Sequence, residues 1–173
     1  MKKAHDPESR KRGSGLTGEL ALFVTASLVI ALDQVSKFLV RDNMALGQSI
    51  PEEGFFRITY TTNVGGSWGI FGNPVFLTAA TTVVVVAIVV LYLRYPLVKR
   101  TLARVALGLL LGGAIGNMID RLSHGRVTDF IDVGAWPVFN LADCAIVIGV
   151  ILIASYLIFW VKRERQPSKP KDD

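Results

Sequence analysis

Asn140 and Asp143 stand three residues apart at the head of the apolar stretch VFNLADCAIVIGVILIASYLIFW. On a helix that spacing puts both on one face. Two kinds of chemistry suit such a pair. Asn is a favoured N-cap, and an acid at the third helical position is stabilised by the free N–H groups and the helix dipole. Alternatively, Asp143 is half of a pair of carboxylates that cannot both ionise cheaply, share a proton and activate water. Other acids are available as partners: Asp129 and Asp132 in LSHGRVTDFIDVGAWPVFN, Asp120 in GNMIDR, and Asp33 in ALDQVSK. Asp129 lies 14 residues before Asp143, a length that can fold back and bring the two together. Spacing alone leaves capping and catalysis both open, and it does not choose the partner.

Further polar groups sit where they are costly. Asp33 and Lys37 are four apart inside an apolar run and share a helix face. They make an ion pair that lets Lys37 snorkel outward, a contact for a bound molecule, or both. Asn117, Asp120 and Arg121 also share a face and either brace a helix end or line a site. Gly108, Gly112 and Gly116 recur every four residues before them, a smooth stripe that lets helix backbones approach closely in lipid. No strand precedes GLLLGGAIGN, so it is not a nucleotide-binding loop. His124 has no second His or Cys near enough to complete a metal set, and the single cysteine, Cys144, rules out an internal disulfide.

These residues must be positioned by a membrane protein. The chain has 173 residues, which suits one domain spanning 1–173, and 51% of them are apolar. Mean hydropathy is +0.43. Four apolar runs, 20–40, 74–93, 102–119 and 141–161, reach the length of about 20 residues needed to cross a bilayer. The third is interrupted near its start by Arg104. The expected fold is therefore an all-α bundle of four transmembrane helices. Most of the 19 basic residues lie in the N-terminal segment, the link between the second and third runs, and the C-terminal segment. That side is expected to be cytoplasmic, with both termini there and the connections 41–73 and 120–140 outside. The charge pattern fits topology rather than nucleic-acid binding. The segments 1–18 and 162–173 are charged and read as disordered tails.

The outer connections carry their own signals. GFFRITYTTN alternates with period two and reads as a strand, and RVTDFI reads as a second extended piece. NVGGSWGIFGNP, with Trp68 and Phe71, suits the membrane interface and a mobile lid. Together they suggest a small extracytoplasmic β platform that holds an extended peptide by backbone pairing. Asp33 lies about 20 Å into its span at 1.5 Å per residue, in the outer third of the membrane. Two readings compete with hydrolysis: a transporter using the outer carboxylates as a cation or proton path, and a non-enzymatic scaffold.

Five segments in order, LDQVSK, NVG, GNMIDR, VTDFID and FNLAD, resemble the lipoprotein signal peptidase family, signal peptidase type II. The resemblance runs across nearly the whole chain. It implies an intramembrane aspartic endopeptidase of the bacterial cell (inner) membrane, acting near the extracytoplasmic face without metal or cofactor. Its substrates would be prolipoproteins, cut just before a cysteine carrying diacylglycerol, and a monomer would suffice. Carried over by motif, Asp129 and Asp143 are the catalytic pair. Asn63, Gly65, Asn117, Arg121 and Asn140 line the substrate site, and Asp33 and Lys37 support it. Where the family usually has N-T-G-A-A-F, this chain has NVGGSW, keeping Asn63 and Gly65 but placing Trp68 at the phenylalanine.

Overall fold

The structure, a computed structural model, describes residues 7–63, 74–94 and 101–164. Four helices, α1 (Pro7–Asn43), α2 (Pro74–Arg94), α3 (Thr101–His124) and α4 (Leu141–Glu164), are joined by three strands, β1 (Ser49–Ile50), β2 (Arg57–Asn63) and β3 (Val127–Asp132). Three stretches are long and apolar enough to cross a membrane: Glu19–Asn43, Thr101–His124 and Leu141–Ile158. Within α2 the apolar stretch is Ala79–Val90.

The helices extend past the apolar runs that seed them. α1 begins at Pro7, inside the segment 1–18 whose composition reads as a disordered tail. Proline is tolerated in a first turn, and once a helix exists each added residue contributes one hydrogen bond. α3 continues five residues beyond the expected end at 119, which carries Asp120 and Arg121 on helix rather than loop.

α3 is the central element and packs against α1, α2 and α4. Its glycines explain how closely. A Cβ at Gly112 would lie 2.8 Å from the Ala26 carbonyl oxygen of α1, and one at Gly113 would lie 2.5 Å from the Ala142 carbonyl oxygen of α4. The stripe expected from Gly108, Gly112 and Gly116 faces α1 throughout.

Burial is inverted relative to a water-soluble domain. The largest fully buried side chains are Lys37, Asn140, Asp33 and Asp120. Leu28, Leu32, Val35 and Phe38 on α1, and Val147, Ile148, Val150 and Ile151 on α4, are exposed. A surface that apolar is stable against lipid, where polar groups must be satisfied inside the protein. The chain is a multi-pass membrane protein with its polar groups gathered in the bundle.

The strands form one antiparallel sheet in the order β1-β2-β3. Strand pairing begins at Arg57 rather than Gly54, because residues 51–56 are a bend. Ser49 pairs with Thr59, Arg57 with Asp132, and Asn63 with Val127, with an irregularity in β2 between Ile58 and Thr61. The free edge of β3 is partly covered by Phe139, which exchanges backbone hydrogen bonds with Ile131 at 2.7 and 3.0 Å. At the far end of β3, Arg57 grips Asp132 Oδ2 through Nε at 3.0 Å and Nη2 at 2.7 Å. The Gly134 backbone N–H, the Thr59 hydroxyl and Arg57 hold the Asp132 carboxyl below the usual carboxylate range.

Candidate active site

Asp129 and Asp143 meet because β3 and the head of α4 are two arms of one short hairpin. Phe130 and Ile131 donate to the Phe139 carbonyl oxygen, so the residue before Asn140 lies beside the residues after Asp129. Asn140 is the N-cap of α4. Its Oδ1 accepts the Asp143 N–H at 3.0 Å, and Asp143 Oδ2 accepts the Asn140 N–H at 3.3 Å. This is a reciprocal capping box. The capping geometry is therefore present, and the charge of the acid that completes it also acts on Asp129.

Two amides connect the carboxylates. Asn140 Nδ2 donates to Asp129 Oδ1 at 2.7 Å and to Asn117 Oδ1 at 3.1 Å. Asn117 Nδ2 donates to Asp143 Oδ1 at 2.8 Å. Asp129 is 2% exposed and Asn140 wholly buried. Burial, and then the charge of Asp143, push the Asp129 carboxyl up to about 6, against hydrogen bonds from Asn140 and Asn63 and the charge of Lys37. The acids thus sense one another electrostatically across a bridge of amide groups.

A second cluster supports this pair from below. Asp33 Oδ1 accepts the Ala142 N–H at 3.0 Å, so an acid of α1 satisfies a free N–H of α4 in its first turn. Asp33 Oδ2 pairs with Lys37 at 2.9 Å. Lys37 also reaches Asp120 Oδ2 at 3.3 Å and Asn117 Oδ1 at 2.9 Å. Asp120 Oδ2 accepts the Thr128 N–H at 2.9 Å, which ties the end of α3 to β3. Arg41 Nη1 lies 3.6 Å from Asp120 Oδ1 and donates to Thr128 Oγ1 at 3.1 Å. Gln34 Nε2 donates to Asp33, to the Gly116 carbonyl and to Asp120.

Of the residues singled out in the sequence, Asn63, Asn117, Asp129, Asn140 and Asp143 converge directly. Asp33 and Lys37 act one layer away. Arg121 donates to Thr81 Oγ1 of α2 at 3.1 Å and lies close enough for charge interaction with Asp143, Asp129 and Asp120. Gly65 and the glycine-rich loop around Trp68 lie outside the described residues. Asp132 belongs to its own clamp with Arg57, and His124 is exposed. The sequence leaves Asp120 open as a helix-end brace or a site residue and gives no sign of a part for Gln34, Arg41 and Thr128. Only the i, i+3 spacing of Asn117 and Asp120 hinted that this acid shares a face with the site. Among the described residues no three His, Cys, Asp or Glu side chains are grouped to hold a metal ion.

An apolar groove of about 590 Å³ opens beside Asp143, lined by Val133, Trp136, Phe139, Cys144, Val147 and Ile148. One end meets the Asp143 carboxylate and the other runs along exposed Val147 and Ile148 of α4. A buried acid and a half-buried acid, bridged by two amides at the head of a membrane helix and open to an apolar groove, suit a membrane-embedded aspartic peptidase.

Residues 25–159 match the family model described as signal peptidase (SPase) II. The chain is 44% identical over 140 residues to a lipoprotein signal peptidase of Moorella thermoacetica, covering 80% of this chain and 93% of the relative. It is 43% identical over 148 residues to one of Geobacillus thermodenitrificans, covering 83% and 92%. Two solved bacterial membrane enzymes share the fold. One has a TM-score of 0.76 at 34% identity, covering 87% of this chain and 94% of the other; the second has 0.72 at 36%, covering 79% and 91%. The chain belongs to the signal peptidase II family and is an aspartic endopeptidase.

Proposed function

We propose that the enzyme removes the signal peptide from diacylglyceryl-modified prolipoproteins, cutting before the modified cysteine, and that Asp129 and Asp143 perform the hydrolysis. The observation that carries this reading is the amide bridge: Asn140 and Asn117 hold the two acids in one hydrogen-bonded unit at the mouth of an apolar groove. The relatives' names supply the substrate class.

Water is the nucleophile. The ionised member of the pair takes a proton from the water as it attacks the scissile carbonyl, while the protonated member donates to the carbonyl oxygen; the proton taken from water then passes to the leaving amine as the tetrahedral intermediate collapses and returns a proton to the other acid. Burial and the charge of Asp143 raise the Asp129 carboxyl to about 6, which leaves it partly protonated near neutral pH. Asn63, Asn117, Asn140 and Arg121 line the substrate site, and Gly65 belongs to the loop that follows β2. The apolar segment of the signal peptide packs along the lipid side of α4, and the scissile stretch lies extended near β2 and β3. The spans 20–40, 74–93, 102–119 and 141–161 cross the inner membrane with both termini in the cytoplasm, so the acid pair faces outward. The chain acts as a monomer and takes no nucleic acid.

The test is direct. The purified chain is incubated with a lipid-modified prolipoprotein beside Asp129→Asn and Asp143→Asn. Expected is a shortened product from the parent enzyme and a loss of several orders of magnitude in kcat for either variant, with unchanged folding. Cleavage by Asp143→Asn at the parent rate would overturn the assignment.

A further inference from the structure

Lys37 is wholly buried on α1, and its ammonium uses its three N–H groups on Asp33 Oδ2 at 2.9 Å, Asp120 Oδ2 at 3.3 Å and Asn117 Oδ1 at 2.9 Å. An ammonium can donate but has no acceptor. A side-chain amide can face either way, and its neighbours decide. Beside Lys37, Asn117 has one workable direction. Its oxygen must point at α1, so its NH2 points at α4 and meets Asp143 Oδ1 at 2.8 Å. Turned over, it would set N–H against ammonium and carbonyl oxygen against carboxylate.

Asn140 is fixed by a different donor. Its Oδ1 accepts the Asp143 backbone N–H, which turns Nδ2 toward Asp129 and Asn117. The two bridging amides therefore take their directions from separate sources, one from the backbone of α4 and one from a buried cation on α1.

We propose that Lys37 is a positioning residue for the peptidase reaction, orienting the Asn117 amide so that Asp143 is met by an N–H and not by an oxygen. This rests on Asp129 and Asp143 being the catalytic pair. The influence crosses three helices through two hydrogen bonds, Lys37 to Asn117 and Asn117 to Asp143. It differs from a plain brace. Neutralising Asp33 and Asp120 does not pass through Asn117, so the two roles separate in a double-mutant cycle.

The experiment measures kcat and KM of the full chain on a lipid-modified prolipoprotein for the parent, Lys37→Met, Asn117→Ala and the double variant. Each single change is expected to lower kcat about 10²-fold, the scale of a misplaced catalytic group. In Lys37→Met, KM should stay within about 2-fold, because Lys37 is wholly buried and does not line the groove. The double variant should be no slower than the slower single. Losses that multiply, to about 10⁴-fold, would mean that Lys37 acts independently of Asn117 and would overturn the proposal. A loss confined to KM would overturn it as well.

Lys37→Met leaves Asp33 and Asp120 without their shared cation, which can prevent folding. The cycle is therefore also run in an Asp33→Asn background, where the remaining acid, Asp120, keeps Arg41 at 3.6 Å. The same non-multiplying pattern is expected there. Full activity in Asp143→Asn would reject the acid pair itself, and the role of Lys37 with it. Full loss in Asp143→Asn with multiplying losses in the cycle would reject only the role of Lys37.

Discussion

At the residue scale, the acid pair has a proton affinity set by neighbours that can be removed one at a time. Burial is the largest influence raising the Asp129 carboxyl to about 6, and the charge of Asp143 is the second. Asp143→Asn deletes the second and leaves the first. The Asp129 constant should then fall from about 6 yet stay above the ordinary carboxylate value of about 3.9. Asn63→Ala should move it the other way, because the Asn63 hydrogen bond favours the ionised form. Carbon-13 NMR of the aspartate carboxyls checks both directions, and a rise in Asp143→Asn would contradict the coupling. The same shift fixes the sign of its effect on stability. The folded state binds this proton more tightly than the unfolded chain does. Its contribution is therefore complete below the ordinary carboxylate range and is lost as pH rises through about 6.

At the scale of elements, the site depends on how closely α3 meets its neighbours. The Ala26 carbonyl oxygen sits where a Cβ at Gly112 would need to be, and it is backbone that cannot swing aside. Gly112→Leu should force α1 and α3 apart and cost about 1–3 kcal/mol or more. A lowered thermal midpoint in detergent, with activity lost in parallel, is the expected result; an unchanged midpoint would show that the helices tolerate separation. Much of this level is legible in the sequence. The four-residue glycine period, the alternation in RITYTTN and the apolar run after Asp143 each report a local regularity. Contacts between distant segments leave no such mark. Nothing near Asp33 announces that its carboxylate accepts the N–H of Ala142, 109 residues away. Nor does the spacing around Asp120 reveal that it holds the start of β3 through the Thr128 N–H. What distinguishes Asp129 from Asp132 is equally hidden in the sequence. Both lie on β3, and only the pairing of Arg57 with Asp132 shows that the latter is already engaged.

At the scale of the whole molecule, the lipid-facing leucines, valines and isoleucines and the buried ions together say which surfaces meet which solvent. The proposed orientation in the membrane rests on the basic residues in the terminal segments and in the link between α2 and α3. Reporter fusions at the two ends should therefore both register the cytoplasm, while a cysteine introduced at exposed Glu53, in a Cys144→Ser background, should react with an impermeant thiol reagent from outside. Opposite results at the two termini would mean an odd number of crossings.

The hairpin from β3 to α4 has one more bearing. Thicker or thinner lipid changes helix tilt and the depth at which a hydrophobic guest rides. Asp129, however, is carried on β3, which is stitched through Phe139 to the chain just before α4, so it is tied to the head of the helix that carries Asp143. If these two acids are the reacting pair, changes in lipid composition should act on how the guest is delivered more than on the register of Asp129 with Asp143.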